Sequence, residues 1–266
     1  MKLSLNTATV KKASLAEAAK LCADNGIEGI GPWRDVVEQA GGAAEAKKLL
    51  DAHGLTVTSL CRGGFFHLGI EDTKKAIDEA STLDAKELIL VVGGMPYGSK
   101  DLGKARQNVR DSIEQLVPFA RERNVRLAIE PLHPMFCADR AVVSTLGQAL
   151  DIAELFTPSE VGVVVDTYHV WWDPELEKQI ARAGERIASY QVCDWVVPLP
   201  ADMLLGRGHV GDGHIDFPYL TSLVKAAGYT GFTEVEIFNQ VVWDTPAAET
   251  IATVRNRWNL VTGLDD

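Results

Sequence analysis

The strongest constraint on this chain is an alternation that runs through it eight times. A short apolar run, too brief for a helix, is followed each time by a longer amphipathic stretch. The short runs cover residues 2–6, 27–31, 55–60, 87–92, 126–130, 161–165, 187–192 and 233–237. The helical stretches after them cover 14–25, 34–53, 71–83, 102–123, 145–156, 175–183, 217–227 and 247–260. Strands each followed by a helix imply a parallel sheet with right-handed crossovers. Eight such units favour closure into a single (β/α)8 TIM barrel over an open, doubly wound sheet. The 266 residues fit a barrel of about 250 residues. No composition shift or linker marks a second domain, so one domain over 1–266 is expected.

Local signals set several boundaries. Ser14-Leu-Ala-Glu17 has the capping-box spacing that opens a helix, and Gly26 ends that helix. Gly41-Gly42 interrupts the second helical stretch. Arg62-Gly-Gly-Phe-Phe is expected to be a glycine-rich turn after the third strand. The connection 194–214 is long and carries Pro, Gly and Arg, which predicts a functional loop.

Charge and cysteine content exclude several classes. The net charge of −11 argues against a nucleic-acid partner, whose binding leans on phosphate neutralisation, although a locally basic pocket stays compatible with it. Four cysteines, with no CxxC pair among them, suggest neither a disulfide framework nor a thiolate zinc site, and fit a reducing cytoplasm. No apolar run approaches the roughly 18 residues of a membrane span. A soluble cytoplasmic protein is expected. No GxGxxG or P-loop pattern follows any strand, which removes the two commonest nucleotide sites.

In such a barrel the active site forms at the carboxyl ends of the strands. Strand five ends in Ala128-Ile-Glu130-Pro-Leu-His133 and strand six in Asp166-Thr-Tyr-His169. Strand seven ends in Tyr190-Gln191-Val-Cys193-Asp194, and strand eight is Phe232-Thr-Glu234-Val-Glu236-Ile. Asp166 alone has two bland explanations, a helix cap or an arginine partner. Four consecutive strands ending in oxygen-bearing side chains are harder to explain that way. Three carboxylates converging on the axis would repel unless a divalent cation neutralised them, and a hard, oxygen-rich set favours Mn²⁺, Mg²⁺ or Co²⁺, with Mn²⁺ expected. Trp33 and Arg62, at the ends of strands two and three, are placed to form an apolar wall and a polar clamp. Trp171 and Trp172 are candidates for a lid.

These motifs, with Gly211-Asp-Gly213-His-Ile-Asp216, make the chain resemble the xylose isomerase-like barrel family of sugar isomerases, epimerases, inosose dehydratases and related lyases. The resemblance covers nearly the whole length and is strongest over 127–238. It implies one divalent metal held by Glu130, Asp166, the strand-seven position and Glu236. That position departs from the pattern: relatives read His-x-x-Asp where this chain reads Gln191-Val-Cys-Asp194. The Gln191 carbonyl would replace an imidazole, and a thiolate at Cys193 is the weaker alternative. The resemblance also turns His169 and Arg207 toward substrate. His133 replaces a more usual asparagine and becomes a candidate general acid or base.

The function this implies is a metal-dependent isomerase or epimerase acting on a small sugar or keto-sugar. Glu130 and Glu236 would move a proton α to a carbonyl through a metal-stabilised enediolate. Elimination or hydration on a 3-keto sugar, 3-keto-glycoside or inosose shares that first step and is the alternative, and His133 and Gln191 leave room for it. A multi-metal phosphodiesterase is disfavoured by the charge and by only six histidines. A non-catalytic sugar-binding or accessory barrel is a third reading. Barrels of this family often pair as homo-oligomers, but no interface is legible.

Overall fold

A computed structural model describes residues 1–263. Its strands are β1 (Lys2–Asn6), β2 (Gly29–Gly31), β3 (Thr56–Val57 continuing as Leu60–Gly64), β4 (Glu87–Val91), β5 (Arg126–Ile129), β6 (Val161–Asp166), β7 (Ile187–Val192) and β8 (Phe232–Val235). All pair in parallel, β1 with β2 and β8, and onward through β7, β6, β5 and β4. The two halves of β3 close the ring: Thr56–Val57 pairs with β2 and Leu60–Gly64 with β4. This is the eight-stranded barrel expected.

The helices outside it are α1 (Leu15–Asp24), α2 (Arg34–Gln39), α3 (Ala43–Ala52), α4 (Glu71–Thr82), α5 (Leu102–Arg121), α6 (Leu146–Ala153), α7 (Thr167–Val170), α8 (Leu176–Ala183), α9 (Phe217–Ala226), α10 (Gln240–Asp244), α11 (Ala247–Asn256) and α12 (Trp258–Thr262). Ser14 caps α1 by accepting from the Glu17 N–H. The glycine pair at 41–42 splits the second helical stretch, both residues having positive φ. α7 is a single turn that the apolar pattern does not announce.

One expected turn is a strand. Gly63 and Gly64 belong to β3, and their glycines serve close approach: a Cβ on Gly64 would stand 2.0 Å from the Val91 carbonyl oxygen. The main apolar core lies between strands and helices, and a small group inside the barrel comprises Cys61, Ile89, Ala128, Val164 and Ala188. Above that plug the interior turns polar. No helix among the described residues is long and apolar enough to cross a membrane.

Candidate active site

The carboxyl ends of β5, β6 and β8 deliver Glu130, Asp166 and Glu236 into one buried cluster. Alternation along a strand puts residues two apart on one face, so Glu234 points inward below Glu236, and Gln191 below Cys193. Pairing places Gln191 beside Asp166 on one side and Glu234 on the other.

Asp166 divides its two oxygens. Oδ1 caps α7 by accepting the Tyr168 N–H at 2.8 Å. Oδ2 faces Arg207, whose Nη1 lies 3.1 Å away. The same Nη1 donates to Glu236 Oε2 at 2.9 Å and to the Glu236 carbonyl at 3.3 Å. Arg207 is buried, with the Tyr168 and Phe238 rings each 4.9 Å from its guanidinium carbon. It stands in the centre of the acids.

His169, in α7, comes within 3.9 Å of Glu130 and 3.7 Å of Asp166 through Nε2. Its Nδ1 accepts the His133 backbone N–H at 3.2 Å. Burial and Arg207 hold His169 well below the ordinary histidine range, so the ring is neutral and carries one hydrogen. Its Nε2 also stands 3.0 Å from Arg207 Nη2, so a fixed donor faces each ring nitrogen. Atoms of Glu130, Asp166 and His169 lie within 4.8 Å of one another, a metal-like grouping.

Burial, reinforced by the neighbouring acids, pushes Glu130 well above the usual carboxylate range. Glu236 is pushed up to about 7, chiefly by burial, with Asp166 and Glu234 adding repulsion and Arg207 opposing. Burial also raises Asp166, against the pull of Arg207 and the Tyr168 N–H. Arg207 is the one guanidinium bonded to Asp166 and Glu236 among the described residues, so full ionisation would leave an excess of negative charge that a divalent cation would offset, and the donors are hard oxygens.

Gln191 is buried beneath this cluster. Its Nε2 donates to Glu234 Oε1 at 3.1 Å, while its Oε1 has no partner. Glu234 received no role from the sequence, and it organises the layer below the acids. It accepts from Asn6 Nδ2 (2.8 Å), Thr58 Oγ1 (2.6 Å) and Ser59 Oγ (2.9 Å) as well as Gln191. Asn6 Oδ1 in turn accepts from Trp33 Nε1 at 2.8 Å, and that indole N–H lies 3.4 Å from Glu236 Oε1. Period-two alternation back from Glu236 was the signal for Glu234; nothing local marks Asn6.

A cavity of about 150 Å³ opens over the acids, lined among others by Trp33, Arg62, Arg140, Glu130, Glu236 and Phe238. His169 and Arg207 also line it. Trp33 and Arg62 are thus where a wall and a clamp would be needed, and Arg140 joins them unforeseen. His133 does not line this cavity. Its ring lies 5.3 and 5.1 Å from the Trp172 and Trp195 rings, and its Nδ1 accepts the Met135 N–H. Trp171 and Trp172 do not line it either; Trp172 Nε1 donates to the His169 carbonyl at 2.8 Å. A larger cavity, about 620 Å³, opens at the amino ends of the strands around Thr58, Arg126 and Tyr229. Of the buried acids inside the barrel it meets only Glu234, so chemistry rather than size selects the smaller one.

The loop carrying Arg207 is held by Asp194. Its carboxylate accepts four backbone N–H groups, from Trp195, Gly211, Gly213 and Ile215. Arg207–Gly208 pairs antiparallel with Asp194–Trp195, and Asp216 caps α9. A Cβ on Gly213 would meet the Trp195 carbonyl at 2.1 Å. The Gly-Asp-Gly-His-Ile-Asp run is thus a clamp on the arginine loop.

An eight-stranded barrel with acids at the carboxyl ends of its later strands defines a class, and comparison gives the family. The xylose isomerase-like TIM barrel model matches residues 19–257, and the chain belongs to that family. The inosose isomerase of Bacillus licheniformis is 29% identical over 192 residues, 70% of this chain and 66% of the relative. That of Halalkalibacterium halodurans is 26% identical over 147 residues, 54% of this chain and 50% of the relative. The chain thus spans about half to two thirds of the length of these relatives. A crystallised protein of Sinorhizobium meliloti 1021 is 49% identical, with a TM-score of 0.92 over 97% of both chains. The zinc-bound IolI protein shares the fold at 22% identity, with a TM-score of 0.84 over 99% of this chain and 98% of that one.

Proposed function

We propose that this chain is a divalent-metal-dependent isomerase or epimerase of a small sugar or keto-sugar. The observation that carries the reading is the pairing of Glu130 and Glu236, two buried acids with raised proton affinity that line one cavity with a guanidinium and a neutral histidine. The names of similar proteins, inosose isomerases and the L-ribulose 3-epimerase of Methylomonas sp., support a carbohydrate substrate.

Glu130, Asp166 and Glu236 would hold the metal, with the unpartnered Gln191 Oε1 as the fourth oxygen. Mn²⁺ suits that set, and Mg²⁺ or Co²⁺ are the alternatives. When bound, such a cation supplies Lewis-acid polarisation of a carbonyl oxygen. The chain's own residues do the rest. One glutamate takes the proton α to the carbonyl, and the other returns a proton, to the neighbouring carbon for isomerisation or to the opposite face of the same carbon for epimerisation. His169 and Arg207, which line the cavity, would contact substrate oxygens, and Trp33 would wall the sugar face. His133 acts by orienting His169 through its backbone N–H.

Inososes and keto sugars, screened in D₂O by NMR, report proton exchange whatever the product. Elimination from a 3-keto sugar begins with the same exchange and separates at the product. EDTA should abolish exchange and Mn²⁺ restore it; full exchange in the metal-free protein defeats the proposal. Glu236→Gln should lower turnover roughly 10²–10⁴-fold. A near-normal rate would remove Glu236 from the chemistry.

A further inference from the structure

We propose that the Arg207 guanidinium is a resident cation of the acid cluster, and that a divalent metal binds by displacing it from Asp166 and Glu236. This rests on the reading of the cluster as a metal site. Arg207 Nη1 bonds Asp166 Oδ2 and Glu236 Oε2, oxygens that the metal would also take. A divalent ion taking those two oxygens would compete with Nη1 for their lone pairs and repel the guanidinium.

The arginine is also poorly satisfied where it sits. A guanidinium carries five donors and no acceptor. Its Nε is buried without a partner. Its Nη2 stands 3.0 Å from His169 Nε2 while the His133 N–H faces Nδ1 of the same ring, and a neutral imidazole can accept from only one of the two. Arg207 is held by charge rather than by a completed hydrogen-bond set, and a stronger cation can replace it. The place is prepared in a second way: Gln191 Oε1, beside Asp166 in the register, is a buried acceptor that no described donor fills.

The arrangement gives the chain a self-neutralised metal-free state. Metal entry would release Arg207 toward the cavity, where its donors become available to substrate. Loading of the metal and presentation of the arginine are then one event.

Mn²⁺ titration, with the free ion read by electron paramagnetic resonance, tests this without reference to turnover. Wild type is compared with Arg207→Met and Arg207→Lys. Removing the competitor should tighten Mn²⁺ binding at least tenfold in Arg207→Met. Arg207→Lys keeps the charge but loses the planar fork that spans Asp166, Glu236 and His169, and should tighten binding severalfold. Tightening in Met with Lys equal to wild type would reduce Arg207 to a through-space charge and overturn displacement. Unchanged or weaker binding in both variants overturns it as well, while leaving the metal site intact. No binding by any form defeats the metal reading itself, and displacement with it. Should Arg207→Met not fold, the Mn²⁺-induced rise in melting temperature of Arg207→Lys decides: a larger rise than wild type supports displacement, and an equal or smaller one refutes it.

Discussion

Glu234 offers the sharpest test of how the barrel interior is held. Its carboxylate is buried, and every hydrogen-bond donor to it is neutral: the Asn6 and Gln191 amides and the Thr58 and Ser59 hydroxyls. Glu234→Ala would strand those donors. Thr58 can turn to Ser4 Oγ, 2.8 Å away. Asn6 Nδ2 is left with a weak contact to Cys61 Sγ at 3.6 Å, and Gln191 Nε2 and Ser59 Oγ with no acceptor among the described residues. Two orphaned amide donors and one hydroxyl at about 1–3 kcal/mol each, plus the emptied volume, predict a loss of at least about 3 kcal/mol. Glu234→Gln should behave differently. Its carbonyl can serve Asn6 and Gln191, its NH₂ can donate to Thr58, and removing one negative charge relieves repulsion on Glu130 and Glu236. It should lie within about 1 kcal/mol of wild type. Urea unfolding in EDTA measures both, read as a midpoint change at constant slope. An alanine variant within about 1 kcal/mol of wild type, or a glutamine variant as damaged as alanine, would refute this account.

Two further expectations follow from the same contacts. In the metal-free protein Glu236 keeps its proton up to about 7, against 4.5 in the unfolded chain. The folded state therefore binds the extra proton between those values, and the contribution of Glu236 to stability is greatest below 4.5 and declines as pH rises toward 7. The loss is roughly 3 kcal/mol, and Glu236→Gln should remove it; equal pH slopes in the two proteins, from urea unfolding in EDTA, would contradict the assignment. Asp194→Ala should free the arginine loop, because four backbone N–H groups lose their acceptor. Faster hydrogen exchange at Gly211 and Gly213, with little change in the barrel strands, is the expected signature, and unchanged protection at those two amides would count against the clamp.

What the chain announces locally and what it hides divide along physical lines. The barrel was legible because strand and helix periods contrast eight times over, and Ser14 and Gly41-Gly42 marked boundaries by their own backbone preferences. Gly63 and Gly64 misled because a glycine pair signals a turn as readily as close strand approach, and only the neighbouring Val91 carbonyl distinguishes the two. Glu130, Asp166 and Glu236 could be picked out as acids at strand ends, and the structure brings them together. Glu234 shares the face of Glu236, but its partners Asn6, Thr58 and Ser59 come from strands distant in sequence. The engagement of Gln191 with Glu234 depends on pairing register, which residue identity does not reveal. His133 shows how placement is hidden: its type suggested proton transfer, and only the structure sets its ring beside Trp172 and Trp195 and its backbone N–H against His169 Nδ1.

Asp166 shows why a bland explanation and a functional one need not compete. A carboxylate ending a buried strand could be a helix cap, an arginine partner or a metal ligand. In the structure it is a cap through Oδ1 and an arginine partner through Oδ2. The cap fixes the side-chain torsion, because Oδ1 must reach the Tyr168 N–H, and so aims Oδ2 at the cluster without further support. Losing the cap should therefore misdirect Oδ2 as well as fray α7. In the proposed reading an entering cation would need Oδ2, which the arginine contact occupies, so the cap would supply orientation and the arginine a charge to be exchanged.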